Sequence, residues 1–184
     1  MTVHLVVGVS GGIGSGKSLF ARLLAERLGA TCVSFGNYVR DQAVLLGLGS
    51  DRAVLQALGE RLIAEMGWDA FTSSVLSNWD RRTCLVVDGI RHVEVVAALR
   101  VAVAPLPFKL VFLDADFETR KERLAERSSD AENLDKYDAH STEHAVHSDL
   151  PSLAGVVLDA RLAPEDLAAK AAALLLPGCR LPVR

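Results

Sequence analysis

The stretch Gly11-Gly12-Ile13-Gly14-Ser15-Gly16-Lys17-Ser18 fits the pattern G-x-x-x-x-G-K-[ST] at every fixed position. A β-branched apolar run over residues 3–9 precedes it. An amphipathic pattern over 17–28 follows, with Phe20, Leu23, Leu24 and Leu28 at helical spacing. Strand, glycine loop and helix in that order are the context in which such a loop holds phosphate. The glycines let backbone N–H groups turn inward, and the helix start adds its positive dipole end. In this reading Gly11, Gly12, Ile13, Gly14, Ser15 and Gly16 cradle a nucleoside triphosphate. Lys17 brings a point charge to its β- and γ-phosphates, and Ser18 offers a hydroxyl to Mg²⁺. An accidental Lys-Ser after a glycine-rich turn is the competing explanation, and the flanking strand and helix weigh against it.

The rest of the chain repeats the alternation. Short apolar runs at 31–35, 84–87, 109–113 and 155–158 read as strands. Helical patterns occupy 38–46, 52–66, 70–79, 93–99, 116–127 and 165–176. Strands alternating with helices predict an α/β fold, a three-layer α/β/α domain around a five-stranded parallel sheet. One domain over residues 1–176 is expected, with an acceptor-binding helical segment at about 36–80 and a lid at about 120–149, the latter because 128–149 is polar and weakly patterned. Residues 177–184 read as a loose tail. A net charge of −3 gives no global reason for nucleic acid or an anionic membrane as partner, so any anion site must be local. Three cysteines without C-x-x-C spacing read as reduced thiols of a cytosolic protein. The apolar N-terminus is too short to span a bilayer and lacks a basic leader.

A second site is expected where Leu85-Val86-Val87 runs into Asp88-Gly89-Ile90-Arg91. Ligands of such sheets collect at the carboxyl ends of strands, so Asp88 should share the crevice of the phosphate loop. There it can hold a Mg²⁺-bound water, while Arg91 grips an acceptor phosphate bidentately. Arg120, Arg123 and Arg127 fall on one stripe of the 116–127 helix, where a guanidinium can stabilise charge on a moving phosphoryl group. Glu118, Glu122 and Glu126 make a solvated, ion-paired face the alternative. Lys136 is a further possible phosphate contact. His140, His144 and His147 read as solvated histidines, not as metal ligands. Trp68, Phe71 and Trp79 read as core aromatics before they read as a base-stacking surface.

These motifs carry a family resemblance. The loop resembles that of dephospho-coenzyme A kinases. Asp88-Gly89-Ile90-Arg91 is similar to the Asp-Gly-Phe-Pro-Arg stretch of adenylate kinases, here without the proline. Phe35-Gly36-Asn37-Tyr38-Val39-Arg40, Leu55-Gln56-Ala57-Leu58-Gly59 and His140-Ser141-Thr142-Glu143 extend the likeness to P-loop nucleoside monophosphate kinases. The resemblance implies that Arg40 and Arg91, with Gly89 beside them, contact acceptor phosphate, and that Arg52 is a further candidate. It also implies that the helix bearing Arg123 and Arg127 opens a lid over ATP. Dephospho-coenzyme A kinases and nucleoside kinases usually place an acid just after the second strand. Here Ser34-Phe35-Gly36-Asn37 has none before Asp41. An acceptor phosphate is already anionic and needs no base, so the expected reaction is Mg²⁺-dependent transfer from ATP to a small anionic acceptor such as a nucleoside monophosphate. The enzyme would be a monomer or homodimer. A hydroxyl acceptor, with Asp41 or Asp88 as base, and a nucleotide-sensing NTPase remain the alternatives.

Overall fold

The computed structural model describes residues 4–126, 132, 134–138 and 141–176. Five strands, β1 (Val6–Gly11), β2 (Thr31–Ser34), β3 (Leu85–Ile90), β4 (Phe108–Asp114) and β5 (Val156–Asp159), pair in parallel in the order β2-β3-β1-β4-β5. Helices α1 (Lys17–Leu28) and α9 (Pro164–Leu175) cover one face. The other face carries α2 (Phe35–Leu45), α3 (Arg52–Val75), α4 (Val93–Ala102), α7 (Ser141–Ser148) and α8 (Leu150–Leu153). Helices α5 (Phe117–Ala125) and α6 (Leu134–Asp138) lie over the phosphate loop. The expected three-layer fold with five parallel strands is the observed one.

Burial on both faces explains the unbroken apolar runs. Along β1, Val6 packs with Leu85, Val87 and the α3–α4 side, while Val7 and Val9 pack with Phe20 and Leu24 of α1 and Leu167 of α9. Ala21 and Ala25 of α1 and Ala168, Ala171 and Ala172 of α9 keep that interface thin. At the carboxyl edge the register slips. Val9 pairs with Asp88 but Ser10 pairs with Ile90, so Gly89 is passed over. Gly89 adopts the left-handed φ of 86° that such a bulge requires. The Ser10 hydroxyl locks the far side of the slip by donating to the Ile90 carbonyl at 2.8 Å.

Three boundaries differ from the expected ones. Strand β2 stops at Ser34, not 35, because the Ser34 hydroxyl accepts the Asn37 N–H and starts α2 three residues early. The two helices expected at 52–66 and 70–79 are one element broken at Gly67, whose φ of 77° and ψ of 165° are not helical. The polar stretch 128–149 contains α6 and α7. They are tethered by the buried Leu134 and Val146, with Leu150 of α8 beyond, too sparse a set to give a periodic signal. Residues 177–184 lie outside those described.

Candidate active site

Gly14 of the phosphate loop has φ of 80°, and a Cβ there would stand 2.7 Å from the Arg120 carbonyl oxygen. Only glycine fits the turn and the close approach of α5 together. The loop ends in Gly16, from which α1 starts, so the first amides of α1 face the loop's interior. Lys17 is buried there, its ammonium donating to the Gly12 carbonyl at 3.1 Å. Burial first, and the Arg91 guanidinium second, bring its pKa down to about 7, against the opposing pull of Asp88. Ser18 is exposed and borders the adjoining cavity.

Asp88 sits at the end of β3 directly opposite Ser34 at the end of β2, and accepts from the Ser34 hydroxyl at 3.2 Å. Its other carboxylate oxygen is buried with no hydrogen-bond partner among the described residues. An orphaned buried carboxylate oxygen facing the cavity that Ser18 borders suits a hydrated Mg²⁺, so these two residues fit the ion that the fold family implies.

The cavity, about 930 Å³, extends from the loop to α2 and α3. Arg40, Arg52 and Arg91 all line it, with Lys17, Asp88 and Gly89 at its floor. Burial, then repulsion from Arg52, lowers the Arg91 pKa to about 10. Gln56, Glu60 and His92 also face it. Gln56 was quoted without a role, and Glu60 and His92 were missed, for nothing in the sequence shows which face of α3, or which side of the turn into α4, is directed inward. Asp41 is exposed and does not line the cavity. Phe71 lines it but is buried against Phe35 and Tyr38, Trp79 is buried with its indole N–H on the Thr83 carbonyl, and Trp68 lies on His92.

The arginine stripe divides. Arg123 donates to the Ser15 carbonyl at 3.0 Å and the Ala160 carbonyl at 2.5 Å. It borders a smaller cavity of about 160 Å³ with Leu19, Phe20 and Leu162, on the side of the loop away from Asp88. Arg120 turns inward. It is buried and grips both oxygens of Asp138 at 2.8 and 2.6 Å. Arg127 and His140, and the side chains of Lys136 and His144, lie outside the described residues. Glu143, which sequence reasoning quoted but gave no role, is buried, accepts from the Ile13 N–H at 3.2 Å and forms an ion pair with Arg91. His147 covers Gly12, where a Cβ would be 2.7 Å from its ring. Asp138, Glu143 and His147 bring three ligand-type atoms within 4.8 Å of one another, but a guanidinium is already paired with each acid.

Comparison with known proteins identifies the class. A family model described as an AAA domain matches residues 7–144. The chain belongs to that family. A UPF0200 protein of Aeropyrum pernix is 32% identical over 71% of the chain and 69% of its own length. A dephospho-CoA kinase of Geobacter metallireducens is 41% identical over 48% of the chain and 43% of that protein. Adenylate kinase isoenzyme 1 of Gallus gallus is 29% identical over 72% and 69%. A shikimate kinase from Acinetobacter baumannii, solved with shikimate, superposes over 94% of the chain and 93% of its own at a TM-score of 0.61 and 18% identity, a likeness of fold. The named relatives and structural neighbours include kinases, which are phosphotransferases, and the chain shares their P-loop fold. Among its described residues no helix is long and apolar enough to cross a membrane.

Proposed function

We propose that this P-loop kinase transfers the γ-phosphoryl group of ATP to a phosphate-bearing acceptor of the nucleoside monophosphate class, in the cytosol. One observation carries the reading: Arg40, Arg52 and Arg91 converge from α2, α3 and β3 on a single cavity that opens onto Lys17 and Asp88. Three guanidiniums on the acceptor side exceed what a neutral hydroxyl acceptor needs and suit an anion. In this mechanism the loop amides and Lys17 hold the β- and γ-phosphates. Arg40 and Arg91, with Arg52 behind them, align the acceptor phosphate in line. Arg123 holds the loop from the nucleotide side, and Arg127 joins it in screening the charge. Ser18 and Asp88 would hold Mg²⁺, which when bound would supply charge neutralisation to the donor phosphates.

A hydroxyl acceptor is the second reading. It is favoured by the orphaned Asp88 oxygen, which can take a proton, and by the dephospho-CoA kinase among the relatives. The deciding assay follows ADP release with a panel of ribo- and deoxyribonucleoside monophosphates, the matching nucleosides and dephospho-CoA. Stimulation by a monophosphate, abolished in Lys17→Ala, is the expected result. Stimulation by nucleosides or dephospho-CoA alone transfers the assignment to the second reading, and hydrolysis that no acceptor speeds up removes both.

A further inference from the structure

The Glu143 side chain connects the two halves of the site. One carboxylate oxygen accepts from the N–H of Ile13, in the middle of the phosphate loop, and the other pairs with Arg91, on the acceptor side. Phosphate oxygens would satisfy the same two donors, the loop amide through the donor nucleotide and the guanidinium through an acceptor. The placement is enforced by packing. Glu143 is 3% exposed, Val146 one turn further along α7 is fully buried in the core, and His147 rests on Gly12. Arg120 holds α6 down through both oxygens of Asp138.

We propose that Glu143 is a specificity-determining residue: its carboxylate holds Arg91 until an acceptor phosphate takes that guanidinium from it, so that phosphate-bearing acceptors are admitted and neutral ones and water are refused. The inference rests on the reading of Arg91 as an acceptor-phosphate ligand. A dianionic phosphate offers Arg91 more charge than a carboxylate and wins the exchange. A hydroxyl or a water molecule offers none, and leaves Glu143 paired with Arg91. A metal bound by Asp138, Glu143 and His147 is the competing account of the same cluster. It would have to replace two guanidiniums in the neighbourhood of Lys17.

The test uses the full chain with its phosphate loop filled by ADP, with inorganic phosphate and AMP as probes of the acceptor side, and is read by calorimetry. In Glu143→Gln, which keeps the shape and loses the charge, both anions should bind about tenfold more tightly, and ATP hydrolysis without acceptor should rise by a similar factor. Unchanged or weaker anion binding in Glu143→Gln overturns the proposal and leaves Glu143 as a support for Arg91. Stoichiometric binding of Mn²⁺ or Zn²⁺, lost in Glu143→Gln, overturns it in favour of a metal site. Wild-type protein labelled at the glutamate carboxyl carbons gives a check free of folding defects. Saturation with AMP, with ADP already in the phosphate loop, should move the Glu143 carboxyl resonance, and a stationary Glu143 signal refutes displacement. If no monophosphate stimulates ADP release, the proposed acceptor class falls, while these binding measurements still decide what Glu143 does.

Discussion

Lys17 carries an unusual burden for a phosphate-loop lysine, because it is enclosed and faces Arg91 before any nucleotide arrives. Burial and that repulsion hold its pKa at about 7, so at neutral pH the free protein is divided between ammonium and amine. A triphosphate beside it favours the ammonium, and the complex therefore binds more protons than the free protein. Raising the pH must then oppose binding, by linkage. ATP affinity is expected to fall by up to about one decade per pH unit between about pH 7.5 and 9, above the titration of phosphate near about 6. Calorimetry in buffers of different ionisation enthalpy should register uptake of about half a proton per ATP at pH 7. Lys17→Arg, which does not titrate in this range, should flatten the profile. Binding that is independent of pH, with no proton uptake, would mean that Lys17 is already fully charged in the free protein.

At the scale of elements, the phosphate loop depends on α5 as much as on its own glycines. The left-handed turn at Gly14 brings the loop so close to Arg120 that a Cβ would meet backbone, not a movable side-chain tip. Gly14→Ala must therefore push α5 away or untwist the loop. An ATP affinity at least about tenfold lower and a melting temperature a few degrees lower are expected, with Gly29→Ala as the control. Gly29 is also left-handed, at φ of 59°, but has open space where its Cβ would go, so it should cost stability alone. Elements of this kind were legible in the sequence where one signal served one strand or helix. The loop string, the β-branched runs and the 3.6-residue pattern of α1 each report a local choice of backbone. The Asp88-Gly89-Ile90-Arg91 end of β3 was legible for a topological reason, since parallel strands deliver their carboxyl ends to one edge. Glu143, Asp138 and the inward turn of Arg120 were not. Their partners lie 130, 18 and 107 residues away, and nothing in a polar stretch with three isolated apolar anchors says which carboxylate will be buried.

Across the whole molecule, the Arg120–Asp138 pair joins the sheet-bound part of the chain to the α6–α7 segment that covers the loop. Arg120 is 4% exposed, and its guanidinium also lies 3.4 Å from the Ile13 carbonyl, so it bears on the loop and on its cover together. Removing one partner of such a pair leaves a buried charge uncompensated, whereas replacing both by apolar groups of similar volume removes the desolvation cost along with the attraction. Asp138 keeps part of its side chain in solvent, which tempers the loss. Asp138→Asn is expected to cost about 2 kcal/mol, a fall of roughly 4–8 °C in melting temperature for a chain of this size. Arg120→Met combined with Asp138→Leu should recover most of that fall. The same two variants separate stability from coupling. If the pair's role is to hold α6–α7 on the loop by charge, hydrogen exchange in Ser141–Ser148 should rise in Asp138→Asn and stay low in the double variant, where packing takes over. If neither variant is destabilised, solvent screens the pair, and among the described residues Leu134, Val146 and Leu150 keep the cover in place.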